Sequence, residues 1–203
     1  MTLANRITIS RILMSMVIFI FLISKNFSLQ IAAAALFAIA GFSDYIDGVI
    51  ARRTKTTTPF GAIADPFADK MLIMAVFLAF ASIRGLNVPL WAVFIILVRE
   101  LTISTLRVLA ALGGEVMKAE KSGKFKTFIQ MFSAAVIMIN MLLKTWIKTG
   151  PAPEGYLLQI VSRAGTVNYY LTIFAALITL ISGAIYLYNH RELLEKSWGE
   201  RKQ

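Results

Sequence analysis

With 203 residues, 58% of them hydrophobic and only 16% charged, the chain carries far less charge than the ~25% of a typical soluble domain, and its mean hydropathy is +0.71. This excludes an ordinary soluble globular protein and predicts an all-α integral membrane protein built as one domain, residues 1–203. The formal net charge of +10 is read as topological charge plus affinity for anionic headgroups and phosphate substrates, and not as a nucleic-acid surface, because no basic patch is interleaved with exposed polar structure.

Residues 1–6 form a short juxtamembrane segment leading into a first span at about residues 7–25. Arg6, Arg11 and the charge-free run Ile12–Ser24 mimic a signal peptide, but the chain turns apolar again directly after Ala32–Ala34, where a mature protein would start polar, so the span is read as retained. Lys25–Asn26 makes a tight turn, and the charge-free residues 26–43 form a second span. Thr56–Pro59 interrupts the helix, since the residue before a proline disfavours helical geometry. A helix restarts from Gly61, tolerates Pro66 near its start, and becomes apolar at Met71–Ile83. A turn at Arg84–Asn87 and then Pro89 open a fourth span, about residues 89–110, with Arg99 and Glu100 well inside it. Gly113–Lys126 is a polar connection, residues 127–147 a fifth span, and Thr149–Arg163 an irregular loop with Pro151, Pro153 and Gly155. Residues 164–189 form a charge-free sixth span, and residues 190–203 a charged, amphipathic tail.

Six spans put both termini on one side. The basic residues choose that side: 16 of the 21 fall with the termini, and Lys25, Arg84, Lys144, Lys148 and Arg163 fall opposite. The positive-inside rule therefore predicts a multi-pass protein of the cytoplasmic membrane with both termini in the cytoplasm. Trp91, Trp146, Tyr169 and Tyr170 lie near the outer ends, and Tyr186 and Tyr188 near the inner end, as interfacial belts would, with ordinary core packing the competing role for each.

The charge-free runs of the third and fourth spans, residues 71–83 and 85–98, are only 13 and 14 residues long, whereas a crossing needs about 20. Both helices must continue through charged portions, and charges at that depth require a polar cavity. Asp65, Asp69, Lys70, Arg99, Glu100 and Arg107 all fall there, which predicts a polar active-site chamber facing the cytoplasm. The same zone holds Asp44 and Asp47. On helices, Asp44, Asp47, Gly48 and Ala51 share one side, and Gly61, Asp65 and Asp69 form an i, i+4, i+8 line. Four carboxylates around one cavity repel unless neutralised, and hard oxygen ligands favour Mg²⁺ or Mn²⁺.

The full spacing is D-x2-D-G-x2-A-R-x8-G-x3-D-x3-D, filled by Asp44, Asp47, Gly48, Ala51, Arg52, Gly61, Asp65 and Asp69. It resembles the signature of the CDP-alcohol phosphatidyltransferase family, whose members move a phosphatidyl-type group from a CDP-linked donor to an alcohol and release CMP. The resemblance implies two divalent cations ligated by Asp44, Asp47, Asp65 and Asp69, with Asp69 also the general base toward the acceptor hydroxyl. It implies a CDP-lipid site containing Asp47, Gly48, Ala51, Arg52 and Gly61, and it implies a homodimer among membrane lipids. Close helix packing is the competing role for the small residues, and membrane anchoring for Arg52.

The acceptor distinguishes members of this family. Arg99, Ser104, Arg107, Lys124 and Lys126 cluster between the fourth and fifth spans, a set suited to a phosphorylated acceptor. The pattern R-E-x3-S-x2-R followed by S-G-K-x-K-T, with Asn5, Thr8 and Arg11 near the start, is similar to the phosphatidylglycerophosphate synthase branch. That branch joins CDP-diacylglycerol to sn-glycerol 3-phosphate, which adds Asn5 and Thr8 to the CDP-lipid site. A cardiolipin synthase or a phosphatidylinositol-phosphate synthase is the nearest rival within the family. A small cation or proton-coupled transporter using the intramembrane acids is the rival outside it.

Overall fold

The computed structural model describes residues 3–50, 59–112, 121–150 and 155–191, with the side chains of residues 3–7, 42–50, 59–66, 69, 112, 121–122 and 156 outside that description. The described residues form six helices: α1 (Leu3–Ile23), α2 (Phe27–Ile50), α3 (Pro59–Ser82), α4 (Leu90–Leu112), α5 (Lys121–Thr149) and α6 (Gly155–Asn189).

Local chemistry explains the helix boundaries. The Asn26 side-chain oxygen accepts from the Ser28 and Leu29 amides at 2.9 and 3.4 Å, capping α2. Pro59 is the first residue of α3, where its missing N–H costs nothing. The Pro89 carbonyl accepts from the Ala92 and Val93 amides and so starts α4. Between α3 and α4 the chain turns through Gly85 and Asn87, with φ of 93° and 57°. Glycine takes that left-handed region freely and asparagine tolerates it.

Three predicted boundaries move. The helix α1 begins at Leu3, so most of the segment expected to precede the first span is already helical. The helix α5 takes Lys121–Lys126 from the predicted polar connection. The helix α6 begins at Gly155, so Gly155–Arg163, expected as part of an irregular loop, is helical. After Gly155 neither proline nor glycine interrupts that stretch, and Leu157, Leu158, Gln159 and Arg163 favour a helix. At 35 residues α6 is about 50 Å long, well beyond a ~30 Å hydrocarbon layer.

The helix α3 is the hub, packing against α1, α2, α4 and α5, while α6 packs on α4 and α5. Ile18, Leu22, Phe77, Phe80, Val93, Ile96, Ile137 and Met141 form the apolar core, with Phe77 and Phe80 edge to face at 6.4 Å. Polar residues sit inside as well: Ser133, Asn168, Thr172 and Thr179 are fully buried, while Leu13, Ile20, Phe94, Phe128 and Leu177 are exposed. Two helical segments, Gly123–Thr149 and Leu157–Asn189, are long and apolar enough to cross a membrane. Apolar outside and polar inside is the arrangement a lipid solvent selects.

The α3–α4 turn is tied to the far side of the bundle. The Lys144 ammonium donates to the Gly85 carbonyl at 2.6 Å. The Asn168 amide donates to the Leu86 carbonyl at 3.0 Å and accepts from Asn140 at 2.7 Å. These bonds satisfy backbone groups that a turn leaves open.

Candidate active site

At the opposite end of the bundle, α3, α4, α5 and α6 enclose a cavity of about 350 Å³. The helix α4 supplies Arg99, Glu100, Ile103, Ser104 and Arg107, which recur at helical spacing and so line one stripe. Lys70 enters from α3, Lys124, Lys126 and Thr127 from the first turns of α5, and Tyr186 from α6.

Glu100 is the electrostatic centre, with 1% of its surface exposed. It is ion-paired and hydrogen-bonded with the Lys126 ammonium. Arg99 Nη1 lies 3.4 Å from the same carboxylate oxygen, and Gln130 Nε2 donates to it at 3.1 Å. Lys70 Nζ reaches the other oxygen at 3.7 Å. Five cations thus line the cavity against one carboxylate. Glu100 makes the burial of Arg99 and Lys126 tolerable, because isolated charges out of water are costly. It cannot balance all the cations, and the excess positive charge suits an anion.

The helix α6 fixes the back of this cluster. Gln130 Nε2 also donates to the Thr179 hydroxyl at 2.9 Å, and Arg99 Nη2 to the Ser182 hydroxyl at 3.2 Å. Glycine at 183 makes room for Arg99: a Cβ there would lie 3.0 Å from Arg99 Cγ and 3.1 Å from Nε. The Arg107 guanidinium lies 5.7 Å above the Tyr186 ring, and His190 stacks against the same ring at 4.4 Å. Two buried polar groups of this wall have no hydrogen-bond partner among the described residues, Arg99 Nε and the Tyr186 hydroxyl.

All five residues predicted to bind an acceptor phosphate, Arg99, Ser104, Arg107, Lys124 and Lys126, line this one cavity. Of the two roles open to the aromatics near the helix ends, Tyr186 takes packing. It is not an interfacial aromatic but is 3% exposed and forms part of the wall. Its neighbour Tyr188 is 67% exposed. Glu100 as hub, with Gln130, Thr179 and Ser182 behind it, was not singled out by residue type. The signal was present as Thr179, Ser182, Gly183 and Tyr186, spaced i, i+3, i+4, i+7 along an otherwise apolar span.

The acidic motif lies along α2 and α3: Asp44, Asp47 and Gly48 are in α2, and Gly61, Asp65 and Asp69 are in α3. The side chains of the four aspartates lie outside the described residues, as do Ala51 and Arg52 altogether. Among the described residues there is no group of three or more metal-ligating side chains. Thr8 is buried in α1, and Asn5 lies one turn earlier in the same helix. Lys70 directly follows Asp69 in α3, so the acidic motif ends one residue before the cavity wall begins.

A family model described as CDP-alcohol phosphatidyltransferase matches residues 1–189. A Bacillus subtilis protein named CDP-diacylglycerol–glycerol-3-phosphate 3-phosphatidyltransferase is 35% identical over 113 residues, 56% of this chain and 58% of that one. Proteins of the same name from Rickettsia typhi and Pseudomonas fluorescens are 34% identical over 138 residues and 32% over 147. Those alignments cover 68% and 70% of this chain, and 76% and 72% of the relatives.

Proposed function

The chain belongs to the CDP-alcohol phosphatidyltransferase family, and from that premise we propose that it transfers the phosphatidyl group of CDP-diacylglycerol to sn-glycerol 3-phosphate, giving phosphatidylglycerophosphate and CMP. The observation that carries the choice of acceptor is the cavity itself, lined by five cations and a single carboxylate. A phosphomonoester dianion uses that surplus, whereas serine, free inositol or a bare alcohol does not. The names of the relatives from Bacillus subtilis and Rickettsia typhi support the same acceptor.

Arg99, Arg107, Lys124 and Lys126, with the hydroxyl of Ser104, hold the acceptor phosphate and so direct the alcohol end toward α3. Asp69 takes the proton from the attacking hydroxyl. The acceptor oxygen forms the new bond to the phosphatidyl phosphorus, the bond to the bridging oxygen breaks, and CMP leaves with that electron pair. Asn5, Thr8, Gly48, Ala51, Arg52 and Gly61 accommodate the CDP-lipid, Arg52 through its fork of donors to the diphosphate. Asp44, Asp47, Asp65 and Asp69 are an all-oxygen donor set on two helices that pack together, α2 and α3, which fits hard cations. These residues would hold two ions, Mg²⁺ or Mn²⁺, which supply neutralisation of diphosphate charge when bound.

Residues 1–203 act as one catalytic unit, and the six helices are read as six spans with the cavity and both termini at the cytoplasmic face. The distribution of basic residues supports this orientation, and it gives the site access to soluble phosphorylated acceptors. Family membership carries the expectation of a homodimer.

The test is an acceptor panel. Purified protein receives CDP-diacylglycerol, Mg²⁺ or Mn²⁺, and labelled sn-glycerol 3-phosphate, phosphatidylglycerol, inositol phosphate or serine. Lipid product and CMP should form with sn-glycerol 3-phosphate. Product only with another acceptor would reassign the enzyme within its family, and cation flux without CMP release would remove it from transferase chemistry.

A further inference from the structure

Tyr186 presents a buried hydroxyl with no hydrogen-bond partner among the described residues, although the residue is 3% exposed and lines the cationic cavity. A buried tyrosine usually finds a partner for its O–H, and an unpaired buried hydroxyl carries a desolvation cost. The ring is restrained by Arg107 at 5.7 Å and His190 at 4.4 Å. A second buried donor of the same cluster, Arg99 Nε–H, is likewise without a partner among the described residues. Two restrained donors without a partner among the described residues, in a cavity with a surplus of positive charge, call for a ligand made of acceptor oxygens.

We propose that Tyr186 is a specificity-determining residue of the acceptor subsite, its phenol O–H donating a hydrogen bond to a phosphate oxygen of the phosphomonoester acceptor. This rests on the acceptor reading above and adds to it a contact from α6, a helix that carries none of the acidic motif. The same helix face orders the contact: Ser182 holds Arg99 at 3.2 Å, Gly183 leaves space for it, and Tyr186 follows one turn later. A polyol without a phosphate can exchange donors and acceptors with water, whereas a phosphate offers only acceptors to this donor-rich wall.

The experiment compares wild type with Tyr186→Phe, which removes only the phenol oxygen, and uses Tyr188→Phe as a control on the same helix with an exposed ring. Thermal shift with inorganic phosphate and with sn-glycerol 3-phosphate reads binding without turnover, and initial rates read KM and kcat. Loss of one hydrogen bond to a charged group should raise the KM for sn-glycerol 3-phosphate and the inhibition constant for inorganic phosphate by roughly ten- to a hundredfold. The KM for CDP-diacylglycerol should not change, and the unliganded melting temperature should stay level or rise, because the lost oxygen has no partner among the described residues. Tyr188→Phe should match wild type throughout. Equal phosphate affinity in wild type and Tyr186→Phe would overturn the assignment. So would a raised KM with an unchanged phosphate inhibition constant, which would put the phenol on the alcohol end. A lowered melting temperature would make the phenol a structural partner instead. A wild-type protein that neither consumes sn-glycerol 3-phosphate nor binds phosphate would instead overturn the reading beneath it.

Discussion

Glu100→Gln should destabilise the protein and weaken acceptor binding at once, because one buried carboxylate organises the cation cluster. The residue is 1% exposed, and Lys126 and Arg99, its partners, are 4% and 9% exposed. Removing one member of such a buried set leaves the others uncompensated, at a cost of about 3–5 kcal/mol. The contact at 3.7 Å to Lys70, whose side chain is 28% exposed, adds little to that figure because solvent screens it. Glutamine preserves shape and an oxygen for Gln130 but not the charge, so the low end, about 3 kcal/mol, is expected. For a chain of this size that corresponds to a fall in melting temperature of roughly 6–12 °C. Unfolding of detergent-solubilised protein would measure it. Adding Lys126→Met should recover part of the loss by removing the stranded ammonium, a coupling that a double-mutant cycle detects. Equal melting temperatures for Glu100→Gln and wild type, or a double variant no more stable than the sum of its singles predicts, would refute the view that Glu100 is the resident counter-charge.

Three other substitutions separate chemistry, positioning and scaffold. Asp69→Asn should abolish turnover while largely sparing binding of the CDP-lipid, measured by CMP release and equilibrium binding; retained turnover would remove Asp69 as the base. Gly183→Ala places a methyl group 3.0 Å from Arg99 Cγ, so it should raise the acceptor KM severalfold at a stability cost of about 1 kcal/mol, with the KM for CDP-diacylglycerol unchanged. Asn168→Leu removes the donor to the Leu86 carbonyl and the acceptor for Asn140. It should cost about 1–3 kcal/mol without altering the acceptor KM, because the network lies at the other end of the bundle from the cavity.

The sequence was most readable where a physical constraint acts over few residues. Asn26, Pro59, Pro89 and Gly85–Asn87 mark turns and helix starts by their own backbone preferences, and the structure puts boundaries at or beside them. Arg99 and Arg107 were legible because charge inside short apolar runs needs a cavity. The start of α6 was not, since Pro151, Pro153 and Gly155 suggest a long loop, while the helical tendency of the residues after them is spread over several weak preferences. The place of Tyr186 stayed open because an aromatic near a helix end is equally at home in an interface or in a wall. Only the packing of α6 on α4 decides between them. Glu100's hub role depends on Lys126 and Gln130, which are 26 and 30 residues away in sequence, a distance at which periodicity carries no information.

A cationic acceptor site within a membrane protein has to exist before its anion arrives. Arg107 and Lys124 are exposed and screened by water, but Arg99 and Lys126 are buried, where like charges repel strongly and would make the empty site unstable. Glu100 resolves this by neutralising part of the charge permanently from within the wall, where Gln130, itself bonded to the Thr179 hydroxyl at 2.9 Å, donates to it at 3.1 Å. The remaining charge is then available to a phosphate without the site depending on one for its integrity. Lys70 couples the arrangement to the acidic motif, because its ammonium reaches Glu100 while its backbone neighbour in α3 is Asp69. A shift of α3 relative to α4 would therefore disturb the proposed base and the acceptor wall together. On that reasoning α3 is the hub of the fold because it keeps the proposed proton acceptor in register with the wall proposed to position the alcohol.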